Sequence, residues 1–241
     1  MVSDIIQTMW VGNKLSTMER LSLSSFVKNG HDVHLYTYSD VEGVPEGVEI
    51  KDGNTILPED MIFMYKDHKS YSAFSNYFRY KLLSEKGGYW VDTDVICLKK
   101  FDFKAPFVFC SEEVLPLNQG NTHIGSCIIK MPAGNPIALD AFETCMEKKR
   151  EMLVWGEIGP RLVKQMVEKY SMNFFVKPPE TFCPIPGCMW NLVLNPEQEI
   201  NFGEETYAIH LWNEMWRRSN ADKNAKYPER SYYEKLKARY L

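Results

Sequence analysis

Two aspartates separated by one residue, Asp92-Thr93-Asp94, stand at the end of a short apolar run, Tyr89-Trp90-Val91. Carboxylate oxygens are hard ligands suited to Mg2+ or Mn2+, and such sites often share their ion with substrate phosphates. A strand-end carboxylate pair is therefore a place to hold a metal–diphosphate complex. A lone Asp-x-Asp is more often a solvated turn. Here Trp90-Val91 and Val95-Ile96 flank it as strand, and ligands in open α/β sheets gather beyond the carboxyl ends of parallel strands.

The elements that must position this pair read outward from it. Residues 70–86 contain no Gly or Pro, and Phe74, Tyr77, Phe78, Leu82 and Leu83 recur at helical spacing. Gly87-Gly88 reads as the cap of that helix and a turn into the strand. Ser75 and Asn76 precede Arg79 by four and three residues, so the three share one helix face. A guanidinium fork there suits a phosphate or a sugar hydroxyl, and the aromatic face beside it predicts a partnered arginine. Further strands are predicted over 4–10, 33–38, 95–98, 107–110, 124–131 and 205–212, and further helices over 16–28, 136–150 and 160–170. Residues 41–60 and 177–203, rich in Gly, Pro and Asp or Asn, read as long connections. The β-α-β opening predicts an α/β fold in one domain.

His210 follows an apolar strand in Tyr207-Ala208-Ile209-His210-Leu211-Trp212. A single His in that setting is more often a core residue than a ligand. It could also complete a two-carboxylate, one-imidazole set suited to Mn2+; spacing leaves both open.

The runs Ala73-Phe74-Ser75-Asn76-Tyr77-Phe78-Arg79 and Gly87-Gly88-Tyr89-Trp90-Val91-Asp92-Thr93-Asp94 resemble the core of the Asp-x-Asp sugar transferases. This group of retaining GT-A glycosyltransferases includes yeast-type mannosyltransferases, α1,4-galactosyl- and α1,4-N-acetylglucosaminyltransferases and, more distantly, clostridial glucosylating toxins. Ile5 to Trp10 resembles the family's first strand, Asn121 with Ile124, Ser126 and Pro132 a segment after the central strands, Gly159-Pro160 its Thr-Gly-Pro turn, and His210-Leu211-Trp212-Asn213 with Trp216 its closing element. The resemblance implies a GT-A (Rossmann-like) mixed sheet flanked by helices. It implies that Asp92 and Asp94 bind Mn2+ or Mg2+ and the donor diphosphate, with His210 as third ligand and Thr93 in the donor site. Ser75, Asn76 and Arg79 would contact the donor sugar, Thr8, Trp10 and Tyr38 the nucleoside, and Trp216 would close over the diphosphate. Asn121, Glu157 and Gly159 are candidates for the sugar or acceptor pocket. The family usually has Asp in place of Asn76, and small hydroxyl residues in place of Met215 and Ile158. The first change removes a charge from the donor pocket; because of the others, no fine diphosphate contacts are carried over from the family.

The implied reaction moves a hexose or N-acetylhexosamine from a nucleotide sugar, UDP-linked by the likeness of the closing element, to a glycan or lipid-linked saccharide. The departing diphosphate needs its charge neutralised, which a metal does as a Lewis acid. Retention by double displacement would need a carboxylate beneath the sugar, for which Glu157 is a candidate. The resemblance favours same-face substitution instead. Two other classes compete. Haloacid-dehalogenase-type phosphatases also use Asp-x-Asp, but on the first strand and with Thr or Val where this chain has Ile96. A non-catalytic sugar-nucleotide or glycan-binding module is kept open by Asn76 and Met215.

The bulk numbers set the frame. The chain has 241 residues and a net charge of −4, which gives no support for nucleic-acid binding. Residues 217–241 carry eight basic and three acidic residues, leaving −9 on the rest. They are set apart as a helical basic tail after a domain over 1–216. Four tyrosines interleave with its charges, which suits either a solvated helix or peripheral contact with an anionic membrane. No apolar window approaches the roughly 20 residues of a spanning helix, and no signal peptide is expected at the N-terminus. Six scattered cysteines suit a reducing compartment, and cytoplasmic residence, at most peripheral at the inner membrane face, is the expectation. Cys183 and Cys188 are the closest pair; with no second pair or His cluster, buried thiols are expected rather than zinc ligands.

Overall fold

The structure is a computed structural model that describes residues 4–66, 68–115 and 120–241. β1 (Ile6–Trp10) leads into α1 (Thr17–Lys28), started by a capping box in which Ser16 and Glu19 satisfy each other's backbone donors. β2 (Val33–Thr37) and β3 (Val48–Asp52) follow, then α2 (Ser72–Lys86), β4 (Gly88–Val91) and β5 (Val95–Cys97). β6 (Val108–Glu113) and β7 (Thr122–Met131) form a hairpin. The remaining elements are α3 (Pro136–Glu147), α4 (Pro160–Lys169), α5 (Pro179–Phe182), β8 (Ala208–His210), α6 (Asn213–Arg218) and α7 (Tyr232–Tyr240).

Six strands form one sheet in the order β3-β2-β1-β4-β7-β6. The first four run parallel, and β7 and β6 run antiparallel to their neighbours. Helices cover both faces. Phe74, Tyr77, Phe78 and Leu82 of α2 pack with α3 and α4 in one cluster, and Leu23 and Phe26 of α1 pack with Tyr89, Phe101 and Phe182 in another. This is the mixed sheet flanked by helices that the sequence predicts, in the manner of a GT-A fold.

Three segments differ from expectation. Residues 41–60 are not all connection: Val48–Asp52 adds an edge strand beside β2. Its alternation is hidden by Gly43, Pro45 and Gly47 and by its exposed outer residues. The strand expected over 205–212 shrinks to Ala208–His210, which leaves the main sheet to pair antiparallel with β5. The stretch 177–203 contains α5 and a 3-10 segment, Gly187–Leu194.

The 217–241 segment is packed on the domain. Tyr233, Leu236 and Tyr240 are buried with Met18, Leu21, Ile96, Ile209 and Trp216 in a third cluster, against which Tyr227 and Tyr232 also lie. Tyr233 and Tyr240 are thus buried in the domain, and Tyr227 and Tyr232 lie half-buried against it. Among the described residues no helix is long and apolar enough to cross a membrane.

Candidate active site

β1 and β4 are parallel neighbours, so their carboxyl ends open on the same side of the sheet. Delivery of β4 depends on Gly87, which caps α2 at φ +63°; a Cβ there would lie 2.3 Å from the Ala133 nitrogen, so no side chain fits. Five residues later the Asp92 N–H donates to the Cys127 carbonyl on β7 at 2.8 Å. The Val95 N–H then donates back to the Asp92 carbonyl at 3.1 Å, closing a tight turn that throws both carboxylates off the strand end.

Each carboxylate is held. Arg79 Nη2 donates to Asp92 Oδ1 at 2.7 Å, Trp90 Nε1 to the same oxygen at 2.7 Å, and Arg79 Nη1 to the Ser126 carbonyl at 2.7 Å. Arg79, 2% exposed, is thus a partnered arginine, as its aromatic helix face predicts. Asp94 Oδ2 lies 3.2 Å from His210 Nε2 and accepts the Asn213 N–H, at the positive start of α6, at 2.8 Å. Burial pushes the Asp92 carboxyl up against the pull of Arg79. For Asp94 burial pushes the same way but is outweighed by His210, and the result is a lowered pKa. Burial would lower His210, yet the Asp94 carboxylate outweighs it and raises the imidazole to about 9.

These groups open into a pocket of about 570 Å3, within the roughly 300–1,000 Å3 typical of small-molecule sites. Of the residues singled out by sequence, Thr8, Trp10, Ser75, Asn76, Arg79, Asp92, Thr93, Asp94, Gly159 and His210 line it. Thr8 Oγ1, Trp10 Nε1 and Arg79 Nε are buried there with no partner among the described residues. Buried polar atoms left unmatched are costly, and all three belong to residues that line the pocket. Gly159 abuts Asn76: a Cβ would lie 3.4 Å from the Asn76 Oδ1.

Other candidates lie elsewhere. Trp216 is 1% exposed, donates to the Leu211 carbonyl and packs against Trp190 and Tyr233, so it stands in the core and not on the pocket lining. Its place at the pocket is taken by Trp212, whose ring sits 4.0 Å from that of His210. Trp212 adopts a left-handed φ of +59°, a strained state for a bulky residue that aims its ring over the imidazole. Tyr38 donates to the Leu57 carbonyl and packs on Phe74 and Phe78, away from the pocket lining. Glu157 pairs with Lys148 and accepts the Val154 N–H. Asn121 lies at the start of the hairpin return, its carbonyl accepting from Val114; neither it nor Glu157 lines the pocket. Glu112 does, and burial raises its carboxyl to about 7. Nothing in the local sequence marks Glu112. Trp155, which also lines the pocket with its ring 5.5 Å from the Arg218 guanidinium, is equally unmarked.

Two carboxylates on one turn, each with one oxygen engaged by a fixed partner, suit a hard divalent cation. Asp94 Oδ2 and His210 Nε2, 3.2 Å apart, are close enough to share such an ion. Among the described residues the group of three whose donor atoms lie within 4.8 Å of one another is Cys127, Cys183 and His210.

Two family descriptions match the chain. "Glycosyltransferase sugar-binding region containing DXD motif" matches residues 16–114, and "Alpha 1,4-glycosyltransferase conserved region" matches residues 142–240. The lactosylceramide 4-alpha-galactosyltransferase of Mus musculus is 27% identical over 163 residues, 56% of this chain and 39% of that protein. The alpha-1,4-N-acetylglucosaminyltransferase of Homo sapiens is 23% identical over 187 residues, 68% of this chain and 51% of that protein. The chain therefore spans about two-fifths to one-half of these relatives. Among solved structures the PaToxG glycosyltransferase superposes with a TM-score of 0.52 at 17% identity, over 70% of this chain and 69% of that one, a likeness of fold. Matched in order along a single sheet-and-helix domain, the two regions make this chain a GT-A-type glycosyltransferase related to the α1,4-galactosyl- and α1,4-N-acetylglucosaminyltransferases, with a DXD-containing sugar-binding region.

Proposed function

We propose that the chain transfers a hexose or N-acetylhexosamine from a UDP-linked donor to a glycan or lipid-linked saccharide, with retention of anomeric configuration. The observation that carries this reading is the turn at Asp92 and Asp94, pinned by Arg79, Trp90, His210 and the Asn213 N–H on a pocket that also holds the unmatched Thr8 Oγ1 and Trp10 Nε1.

Asp92 and Asp94 would hold Mn2+ or Mg2+, and a bound ion supplies charge neutralisation for the departing diphosphate. His210 would serve as third ligand beside Asp94, because their 3.2 Å separation is close to the roughly 3 Å between neighbouring octahedral ligands of one ion. The chain's own residues do the positioning. Thr8 and Trp10 offer a hydroxyl and an indole N–H to the nucleoside. Ser75 and Asn76 face the sugar beside Gly159, and Thr93 completes the turn. Arg79 fixes Asp92, and a carboxylate held this way needs no reorganisation during reaction. With Glu157 turned to Lys148, Glu112 replaces it as the candidate carboxylate for double displacement; the same-face route needs none, because the leaving phosphate takes the acceptor proton.

The test is nucleoside diphosphate release from a panel of sugar nucleotides with Mn2+. Release from one donor, abolished by EDTA and by Asp94→Asn, establishes the transferase and names its donor. Thermal stabilisation by a donor without any release, with or without mixed glycan acceptors, would instead identify a binding module.

A further inference from the structure

The proposed donor takes one part of the pocket: Thr8 and Trp10 for the nucleoside, Asp92 and Asp94 for the diphosphate, Ser75 and Asn76 for the sugar. Other lining residues have no share in it. Trp155 comes from the loop ahead of α4 and Arg218 from the end of α6, and both line the pocket. The Arg218 guanidinium lies 5.5 Å from the centroid of the Trp155 ring, so the two segments meet there.

Each segment is tied to a different half of the donor site. The Trp155 loop is clamped to α4, because the Arg161 N–H donates to the Gly156 carbonyl at 3.2 Å and Arg161 Nη2 to the Trp155 carbonyl at 2.9 Å. Four residues after Trp155, Gly159 abuts Asn76 in the corner assigned to the sugar. α6 starts at Asn213, whose N–H holds Asp94. The Trp155–Arg218 contact therefore joins the sugar half of the site to the diphosphate half. Same-face substitution needs the acceptor at that junction, because its hydroxyl must attack beside the leaving phosphate.

The chemistry at the junction suits a sugar. Trp155 is half-buried, and its ring is packed by Tyr65 at 5.1 Å and His68 at 4.8 Å between centroids. Arg217 engages Glu214 through Nε and Nη2, whereas Arg218 reaches it through Nε alone. Both Nη groups of Arg218 are left for a ligand. Tyr65, 4% exposed, lines the same pocket, and its hydroxyl sits by the Gly156 backbone without completing a hydrogen bond. A pyranose has an apolar C–H face and a rim of hydroxyls, and an aromatic ring bordered by a few placed polar groups matches both.

We propose that Trp155, Arg218 and Tyr65 form the acceptor subsite, where a hexopyranose of the acceptor glycan lies against the indole and takes hydrogen bonds from Arg218 and Tyr65. An exposed arginine changes rotamer within nanoseconds, so Arg218 yields the indole face to the sugar and keeps its Nη groups at the rim. The proposal rests on the transferase reading and on retention by the same-face route.

With a donor that releases nucleoside diphosphate, initial rates are measured against methyl glycosides of glucose, galactose and N-acetylglucosamine and against lactose. One of these should raise release above the rate of donor hydrolysis. Trp155→Ala and Arg218→Met should raise its KM about 10-fold or more while the donor KM stays within about 2-fold. Tyr65→Phe keeps the ring and its packing and should raise the acceptor KM about 3-fold or more. Met152→Ala, exposed on the same loop and off the pocket lining, should leave both KM values as in wild type. An unchanged acceptor KM in all three site variants, or acceptor and donor KM rising together, would overturn the proposal. A chain that hydrolyses no donor refutes the transferase reading separately. In that case, or if no saccharide raises release, saturation-transfer NMR of the same saccharides on the full chain with Mn2+ and nucleoside diphosphate decides. Ring protons of one saccharide should be saturated by wild type and not by Trp155→Ala. No saturation by wild type, or equal saturation by both, would count against the subsite.

Discussion

Arg79 joins three things with one side chain: the Asp92 carboxylate, the Ser126 carbonyl on β7, and the face of Trp90 at 5.0 Å. Arg79→Met would leave Asp92 without its counter-charge. Breaking a buried pair from one side costs about 3–5 kcal/mol; the Asp92 side chain is 28% exposed and keeps some water, so the low end, about 3 kcal/mol, is expected in chemical denaturation. A loss within experimental error would mean that the pair contributes little to the fold. Arg79→Lys keeps the charge but not the fork, so stability should partly return while donor turnover stays about 100-fold down, the cost of misplacing a site by about 1 Å. The two tryptophans separate just as clearly. Trp216→Ala empties a core position and should cost about 3–5 kcal/mol. Trp212→Ala should melt close to the wild-type temperature and lose nucleoside diphosphate release. Equal melting losses in the two variants would contradict their different placements. The partnering of Arg79 was legible in sequence because its helix face is aromatic. The exchange of Trp216 for Trp212 was not, because the left-handed residue that turns the chain between β8 and α6 is a tryptophan and carries no glycine signal.

At the scale of elements, glycines, prolines and apolar periods marked what had to be marked. The Gly87-Gly88 cap, α2 and the strand-end position of Asp92 follow from residue types that tolerate few alternatives. β3 and β8 differ from expectation in opposite ways: the five-residue edge strand β3 carries too little apolar pattern to outweigh neighbouring Gly and Pro, whereas β8 is a strand as expected but only three residues long. One link between elements has a pH signature. His31, just after α1, accepts the Phe101 N–H on Nε2 at 2.9 Å and packs edge-on against Phe26 and Phe101. Burial, with Lys100 adding to it, lowers its pKa from 6.5 to about 4. Between these values the unfolded chain binds a proton that the folded chain refuses. Stability from this site is therefore complete above about pH 6.5 and is lost as the pH falls toward 4, by about 2 kcal/mol at pH 5. His31→Gln should be flatter than wild type between about pH 7 and 5 in denaturant titrations. Parallel profiles would show that His31 takes its proton in the folded state.

For the whole molecule the decisive question is whether 217–241 is an appendage. Its composition reads as a basic tail, because charge counts do not reveal which residues are paired or turned inward. In the fold, Lys223 meets Glu19, which is 0% exposed and belongs to the capping box of α1. Asn224 Oδ1 accepts the Thr17 N–H at 2.9 Å, and Ser24 Oγ donates to the Tyr240 carbonyl at 2.6 Å. The chain thus closes on its own beginning: α7 lies on α1, and α1 lies on β5, which follows Asp94 directly. Deleting 222–241 would strip Tyr233, Leu236 and Tyr240 from the core, about 5 kcal/mol or more of apolar burial at roughly 1.5–3 kcal/mol per large side chain. It would also leave Glu19 buried without its cation. Domains of this size are stable by only about 5–15 kcal/mol, so the truncated chain should lose its cooperative thermal transition and bind no donor. An unchanged melting temperature after truncation would show that the segment is dispensable. A charge-reducing variant that spares the packing, Lys226→Gln with Arg230→Gln and Arg239→Gln at exposed positions, should melt like wild type. If it does, the positive charge of the tail and the cohesion it gives the domain are separable, and only the cohesion reaches the Asp pair.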